Sequence, residues 1–424
     1  MSKSALRRTI AGVLTALLMA GWAGASAAAV PDTVATPATN PAADEARFQA
    51  FLHDFRSQAL NAGIRPDIYD RAVAGIDLNP RVEELNEKQP EFVRPIWEYL
   101  TGTITEMRIK QGRDLIAANA DLFARLRDRY GVPAEILTAI WGLETAYGRD
   151  EGSFNLFEAL ATLAFDGPRA DYARRQLLAA LQIAQNEGFD PRTMTSSWAG
   201  AFGQTQFVPT TFLRYAVNAQ GAGRPDLWNS PADALASTAN YLKESGWQPG
   251  ETWGEEVKLP DNFPYELADG NSPKPIGEWA QLGVRRISGE PLPMNPGSGA
   301  IFLPAGYRGP AFLVSSNFNA LLKYNSATSY ALAVGLLSDR LRGASGVRAN
   351  WPVEETALDL SSSMALQEAL TALGFPTGGA DGILGARTRQ AIRDYQKSRG
   401  LPADGFATGN LLTRVLNERA ALPN

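Results

Sequence analysis

A mainly α, α+β chain is predicted by three features of the sequence. Apolar residues recur at helical spacing from residue 47 to about 126, as in Ile96, Trp97, Leu100, Ile104 and Met107, and the pattern continues over 133–147, 174–186, 209–219, 230–245 and 329–341. A proline-rich interval then carries a small β element: nine of the chain's 27 prolines fall between Pro260 and Pro310, around the short strand-like runs 299–303 and 311–314. Last, residues 358–424 hold three short amphipathic helices, 362–373, 386–399 and 408–420.

Taken in order, the elements carry their own punctuation. Pro133 and Pro209 suit a first helical turn, where a missing N–H costs nothing. Ser230 with Asp233 three residues on has the form of a capping box. Gly343 to Glu355 is a Gly/Ser/Pro-containing connection. In the C-terminal unit the connections carry Asp381-Gly382 and Asp404-Gly405, two similar turns rather than a repeat array. At 424 residues the chain has room for two or three domains.

The N-terminus reads as a targeting segment. Lys3, Arg7 and Arg8 precede an apolar run from Ile10 to about Ala23, and small residues follow to Ala29, so residues 1–29 have the form of an export signal; an uncleaved membrane anchor is the alternative. Residues 30–46, with Pro31, Pro37 and Pro41 among Ala, Thr and Asp, read as a tether. Removing residues 1–29 deletes three cations and no acid, moving the formal charge from −5 to −8. A mature acidic chain is a poor candidate for nucleic acid, and without Cys no lipobox is possible, so a soluble periplasmic protein with no stable membrane anchor is expected.

Two counts prune the chemistry. There is no cysteine and one histidine, His53, which excludes thiol nucleophiles, disulfides, Cys/His zinc sites and lipid attachment to an N-terminal Cys. His53 lies in an amphipathic helix start and is a poor candidate for a Ser-His-Asp triad. Carboxylates, hydroxyls, amides and aromatic faces remain.

The strongest chemical signal is Ile140-Trp-Gly-Leu-Glu144-Thr-Ala-Tyr-Gly148. On a helix, Glu144 shares one face with Leu137, Ile140 and Trp141. A carboxyl buried there holds its proton to higher pH and can act as a general acid; a Glu144 paired to Arg149 is the bland alternative. A second segment, Ser197 to Pro209, combines small residues with Gln204, Gln206 and aromatics, a mixture of amides and flat faces that sugars use. A third holds Tyr324, Asn325 and Tyr330 at the start of an apolar helix. Arg169, Tyr99 and Tyr241 are equally compatible with plain surface or core positions.

Together with Lys88-Gln-Pro-Glu-Phe92 and Asn240-Tyr-Leu242, these segments resemble, in order and from about residue 47 to 342, the lytic murein transglycosylase B family, glycoside hydrolase family 103. The C-terminal unit, with Asp381-Gly-Ile-Leu-Gly385 and Thr388-Arg-Gln-Ala-Ile392, resembles a three-helix peptidoglycan-binding domain. The resemblance implies a lysozyme-like helical catalytic domain over 47–342, a linker over 343–357 and a binding domain over 358–424. It implies cleavage of the β-1,4 bond between N-acetylmuramic acid and N-acetylglucosamine, with 1,6-anhydro ends and no cofactor. Glu144 would be the one catalytic carboxylate; Ser197, Gln206, Arg169, Tyr241, Tyr324, Asn325 and Tyr330 would line the glycan groove, with Tyr99 a further addition. Peptidoglycan strands are the expected partner, and cell-wall synthases a partner class such enzymes work beside. Relatives hold calcium in a loop after the glutamine segment. Here that stretch, Asn218 to Asp226, has Asp226 as its one acid, so no metal is expected. Two rivals stay open: a hydrolytic muramidase using Asp150, Glu151 or Asp166 as second carboxyl, and a non-catalytic wall-binding scaffold.

Overall fold

The computed structural model describes residues 41–87, 94–293 and 297–421. The export signal, most of the tether and the 88–92 motif lie outside them. Within them, residues 41–46, expected as tether, form the first turns of the helix Pro41–Asn61, whose Phe48, Leu52 and Phe55 are buried and anchor it to the body. Among the described residues no helix is long and apolar enough to cross a membrane.

Two helical cores share the body. Helices Pro41–Asn61 and Pro66–Val73 lie against the pair Leu156–Phe165 and Ala170–Glu187, burying Phe48, Phe55, Phe157 and Leu181. In the other core the helix Ala134–Thr145 runs between Glu106–Ala118, Pro231–Glu244 and Thr328–Leu341. Nine of its twelve residues are buried, which is why its sequence is apolar almost all round. The helix expected over 209–219 stops at Tyr215, because the next backbone groups find buried acceptors elsewhere: Val217 N donates to Ser237 Oγ and Ala219 N to Asp233 Oδ1. The capping box is half formed. Ser230 Oγ accepts from Asp233 N, but the Asp233 carboxylate serves that loop instead of returning to Ser230.

Strands β1 (Phe154–Asn155) and β2 (Thr195–Ser196) make a small ladder, and β3 (Gly254–Lys258), β4 (Lys274–Pro275), β5 (Arg285–Arg286), β6 (Ser298–Phe302) and β7 (Ala311–Val314) an antiparallel sheet ordered β4-β6-β7-β3-β5. Alternation sends Ala300, Phe302, Phe312 and Val314 into the helical core and Ile301, Leu313 and Val257 into a separate cluster around Trp279. With both faces covered, β7 and residues 299–302 of β6 read as apolar runs.

Helices Leu360–Ala372, Ala386–Ser398 and Gly409–Ala420 build their own small core on Leu366, Leu370, Ile392, Tyr395 and Val415. The segment before them is pinned along its course: Glu256 accepts from Arg348 N and Ala349 N, and Arg308 bridges Glu354 and Glu355.

Candidate active site

Glu144 stands one residue from the end of the helix Ala134–Thr145. The helix is stopped by two consecutive non-glycine residues in the left-handed region, Ala146 at φ 49° and Tyr147 at φ 67°, followed by Gly148 at 77°. Such backbone is costly for side-chain-bearing residues and needs external fixing. Tyr147 supplies it. Its ring meets Trp141 edge-on at 5.7 Å, its hydroxyl donates to Arg108 O, and it occupies a slot over Gly142, where a Cβ would come within 2.7 Å of the ring.

The acid lies among hydroxyls rather than charges. Tyr330 Oη donates to Glu144 Oε1 at 2.5 Å. Burial raises the Glu144 pKa to about 7, and the Tyr330 hydrogen bond lowers it in part. The residue itself is neither closed off nor exposed. Tyr330, Tyr324 and Tyr99 all feel the Glu144 charge. Burial first and that charge second hold all three hydroxyls in their protonated, donating form, Tyr99 being pushed up to about 12. Arg149 does not pair with Glu144; it is exposed and donates from Nε to Ala146 O.

The loop 197–209 is strapped to this acid from both sides. Thr145 Oγ1 donates to Gln204 O at 2.6 Å and accepts from Gly148 N, while Tyr324 Oη donates to Thr205 O at 2.6 Å. Ser197 closes the loop on itself through Ala201. Gln206, at φ 52°, donates from Nε2 to Glu151 O and Gly203 O. Tyr241 donates to Lys323 O and meets Tyr324 edge-on at 5.1 Å. Asn325 is buried, with Oδ1 accepting from Ala327 N at the start of the Tyr330 helix.

The fold therefore brings Glu144, Tyr99, Tyr324 and Tyr330 into one electrostatic group, with Gln206, Ser197, Tyr241 and Asn325 on the segments that hold it. Arg169 begins the helix Ala170–Glu187; among the described residues it forms no hydrogen bond or ion pair with that group. Sequence reasoning missed Thr145 and Tyr147, although both lie inside the motif that singled out Glu144; the glycines at 142 and 148 were the available signal. His53 is exposed beside Asp54.

No second carboxyl contributes to the proton affinity of Glu144 among the described residues. Asp150 and Asp166 are exposed. Glu151 is half-buried, and burial and Asp226 raise its pKa to about 7. The loop after Tyr215 is held by its own hydrogen bonds. Asn218 Nδ2 donates to Arg224 O and Asp233 Oδ2, and the Asp226 and Asp233 carboxylates are engaged by backbone N–H groups. A recess of about 730 Å³ between Trp97, Trp253, Arg286 and Trp351 includes none of the Glu144 group.

Residues 47–339 match the family described as Transglycosylase SLT domain, and residues 361–415 a peptidoglycan binding domain family. The membrane-bound lytic murein transglycosylase B of Escherichia coli (strain K12) is 33% identical over 254 residues, 58% of this chain and 68% of that protein. SltB3 from Pseudomonas aeruginosa, solved in complex with NAG-anhNAM-pentapeptide, is 48% identical with a TM-score of 0.85, covering 87% of this chain and 99% of its own. The Escherichia coli lytic transglycosylase Slt35, solved in complex with calcium, is 29% identical with a TM-score of 0.59, covering 69% and 92%.

Proposed function

The chain belongs to the transglycosylase SLT domain family and is a lytic transglycosylase of peptidoglycan, and from that premise we propose that Glu144 alone serves as acid and then base. Protonated Glu144 gives its proton to the glycosidic oxygen that leaves with N-acetylglucosamine. As that C–O bond breaks, the muramic N-acetyl group stabilises the oxocarbenium-like centre. The Glu144 carboxylate then takes the proton of the muramic 6-hydroxyl, whose oxygen bonds to the anomeric carbon and closes the 1,6-anhydro ring. No water enters, and the acid returns to its starting state. An internal hydroxyl held near the carbon attacks unimolecularly and outruns water.

The observation that carries this reading is a carboxyl that keeps its proton to about pH 7 with a tyrosine, not a second carboxylate, as its partner. Two-carboxylate glycosidases set their acids about 5 to 9.5 Å apart. Ser197, Gln206, Arg169, Tyr241, Tyr324, Asn325 and Tyr330, with Tyr99, are assigned to the glycan groove. Residues 47–342 are assigned to catalysis, 343–357 to a linker and 358–424 to wall binding. Residues 1–29 are assigned to an export signal, which puts the mature protein in the periplasm, beside wall synthases. SltB3 was solved with NAG-NAM-pentapeptide, and the same disaccharide peptide is assigned to this chain as substrate.

One observation favours a hydrolytic second reading: Glu151, whose backbone carbonyl Gln206 holds, also keeps its proton to about pH 7. Mass spectrometry of digested sacculi separates the two, because anhydro products are one water lighter than hydrolysed ones. Anhydro ends that vanish in Glu144→Gln support the proposal; hydrolysed ends that vanish in Glu151→Gln contradict it.

A further inference from the structure

The two Asp-Gly turns of the C-terminal unit are built by one hydrogen-bond pattern. In the first, Gln367 donates from Nε2 to Asp381 Oδ1 (2.9 Å) and accepts at Oε1 from Gly382 N (2.7 Å), while Asp381 Oδ1 also accepts from Ile383 N (2.9 Å). In the second, Gln396 donates to Asp404 Oδ1 (2.7 Å) and accepts from Gly405 N (2.8 Å), while Asp404 Oδ1 accepts from Phe406 N (2.9 Å). The glycines match as well, at φ 75° and 72°. In each, the aspartate's inner oxygen shapes the turn and leaves Oδ2 for an outside donor.

The second turn shows what that oxygen binds. Asp404 Oδ2 accepts the backbone N–H of Tyr307 at 2.9 Å, and Phe406 lies over Gly306, where a Cβ would come within 2.7 Å of Asp404 Oδ2 and 3.0 Å of the Phe406 side chain. The turn thus grips a peptide by one N–H and by the bare face of the residue before it, and Asp404 is buried in doing so. The first turn offers the same parts to solvent. Asp381 is exposed, its Oδ2 makes no hydrogen bond among the described residues, and Ile383, in the place of Phe406, is 53% exposed.

We propose that the Asp381–Gly382–Ile383 turn is a peptide-binding site, which takes the backbone N–H of a wall stem peptide through Asp381 Oδ2 and packs Ile383 on a small residue before it. This rests on the peptidoglycan reading above and names the part of the substrate that the C-terminal unit holds: peptide rather than sugar.

The test is calorimetric titration of the full chain with a sugar-free stem pentapeptide, which contains no bond for Glu144 to cleave. Asp381→Asn keeps the inner contacts through its amide oxygen and turns a donor outward; Ile383→Ser keeps the backbone N–H and removes the apolar cover. Each is expected to weaken peptide binding about tenfold while release of anhydro ends from peptide-stripped glycan stays unchanged. Equal affinity in both variants, or no binding of the peptide by the native chain, overturns the proposal. So does a concentration-dependent dimer that Asp381→Asn abolishes, since the turn would then meet a second copy. Anhydro ends from peptide-stripped glycan report on the Glu144 mechanism independently of this turn.

Discussion

The hydroxyl of Tyr330 reaches Glu144 Oε1 at 2.5 Å across 186 residues of chain. Burial pushes the carboxyl toward its neutral form, while a donating hydroxyl favours its ionised one. Under the proposed mechanism, the pair would set where the acid gives up its proton and steady the carboxylate that acts next.

Tyr330→Phe removes the stabilising donor, so the pKa of Glu144 should rise above about 7 and the alkaline limb of the activity profile should move to higher pH. At the optimum, kcat should fall by about tenfold or more for want of the donor that holds the carboxylate. A pH profile of anhydro-muropeptide release checks both; a limb that moves to lower pH contradicts the assignment.

A carboxyl whose folded pKa lies above its unfolded value of 4.5 binds more protons in the native state between pH 4.5 and about 7. Native stability is therefore lost as pH rises through that window, by up to about 3 kcal/mol for this group. Glu144→Gln removes the liability. Urea unfolding should find the variant close to the native chain at pH 4.5 and more stable by about 3 kcal/mol at pH 8.

Gly142→Ala sets a methyl 2.7 Å from the Tyr147 ring. The ring must leave its slot, which should cost about 1 to 3 kcal/mol and loosen the turn that aims Glu144. Tyr147→Ala in the same chain should return part of the stability but not the activity, since the left-handed turn loses its support. Denaturation midpoints and turnover of the single and double variants check this.

Thr145→Val deletes the donor to Gln204 O and the acceptor of Gly148 N while conserving shape. Leaving these buried groups unpaired should cost about 1 to 3 kcal/mol. Because Gln204 and Gln206 lie on the released loop, KM should rise more than kcat falls. Steady-state kinetics on soluble glycan distinguish this from a purely structural loss, which would leave KM unchanged.

What could be read in the sequence was local. The apolar stripe of Leu137, Ile140 and Trp141 placed Glu144 on a buried face, and all three neighbours are buried. The strands at 298–302 and 311–314 and the three C-terminal helices likewise followed from period and composition. The company Glu144 keeps was not local: Tyr324 and Tyr330 arrive together from two adjacent helices far downstream and Tyr99 from a helix upstream, and no pattern within either region announces the meeting with the acid. The helix after Pro209 was overextended because its last residues are claimed by Ser237 and Asp233, acceptors on another helix. Arg169 came from resemblance alone, and no contact ties it to the acid. The echo between the Asp-Gly turns was visible as letters, but its meaning lay in Gln367 and Gln396, a helix earlier in each case.

The central claim is that Glu144 performs both proton transfers with no water in the product. Digestion of purified sacculi by the native chain and by Glu144→Gln, followed by mass spectrometry of the released muropeptides, tests it most directly. The account predicts 1,6-anhydro ends from the native chain and none from the variant, which still binds sacculi. Hydrolysed ends one water heavier, or anhydro ends that persist without Glu144, would contradict it.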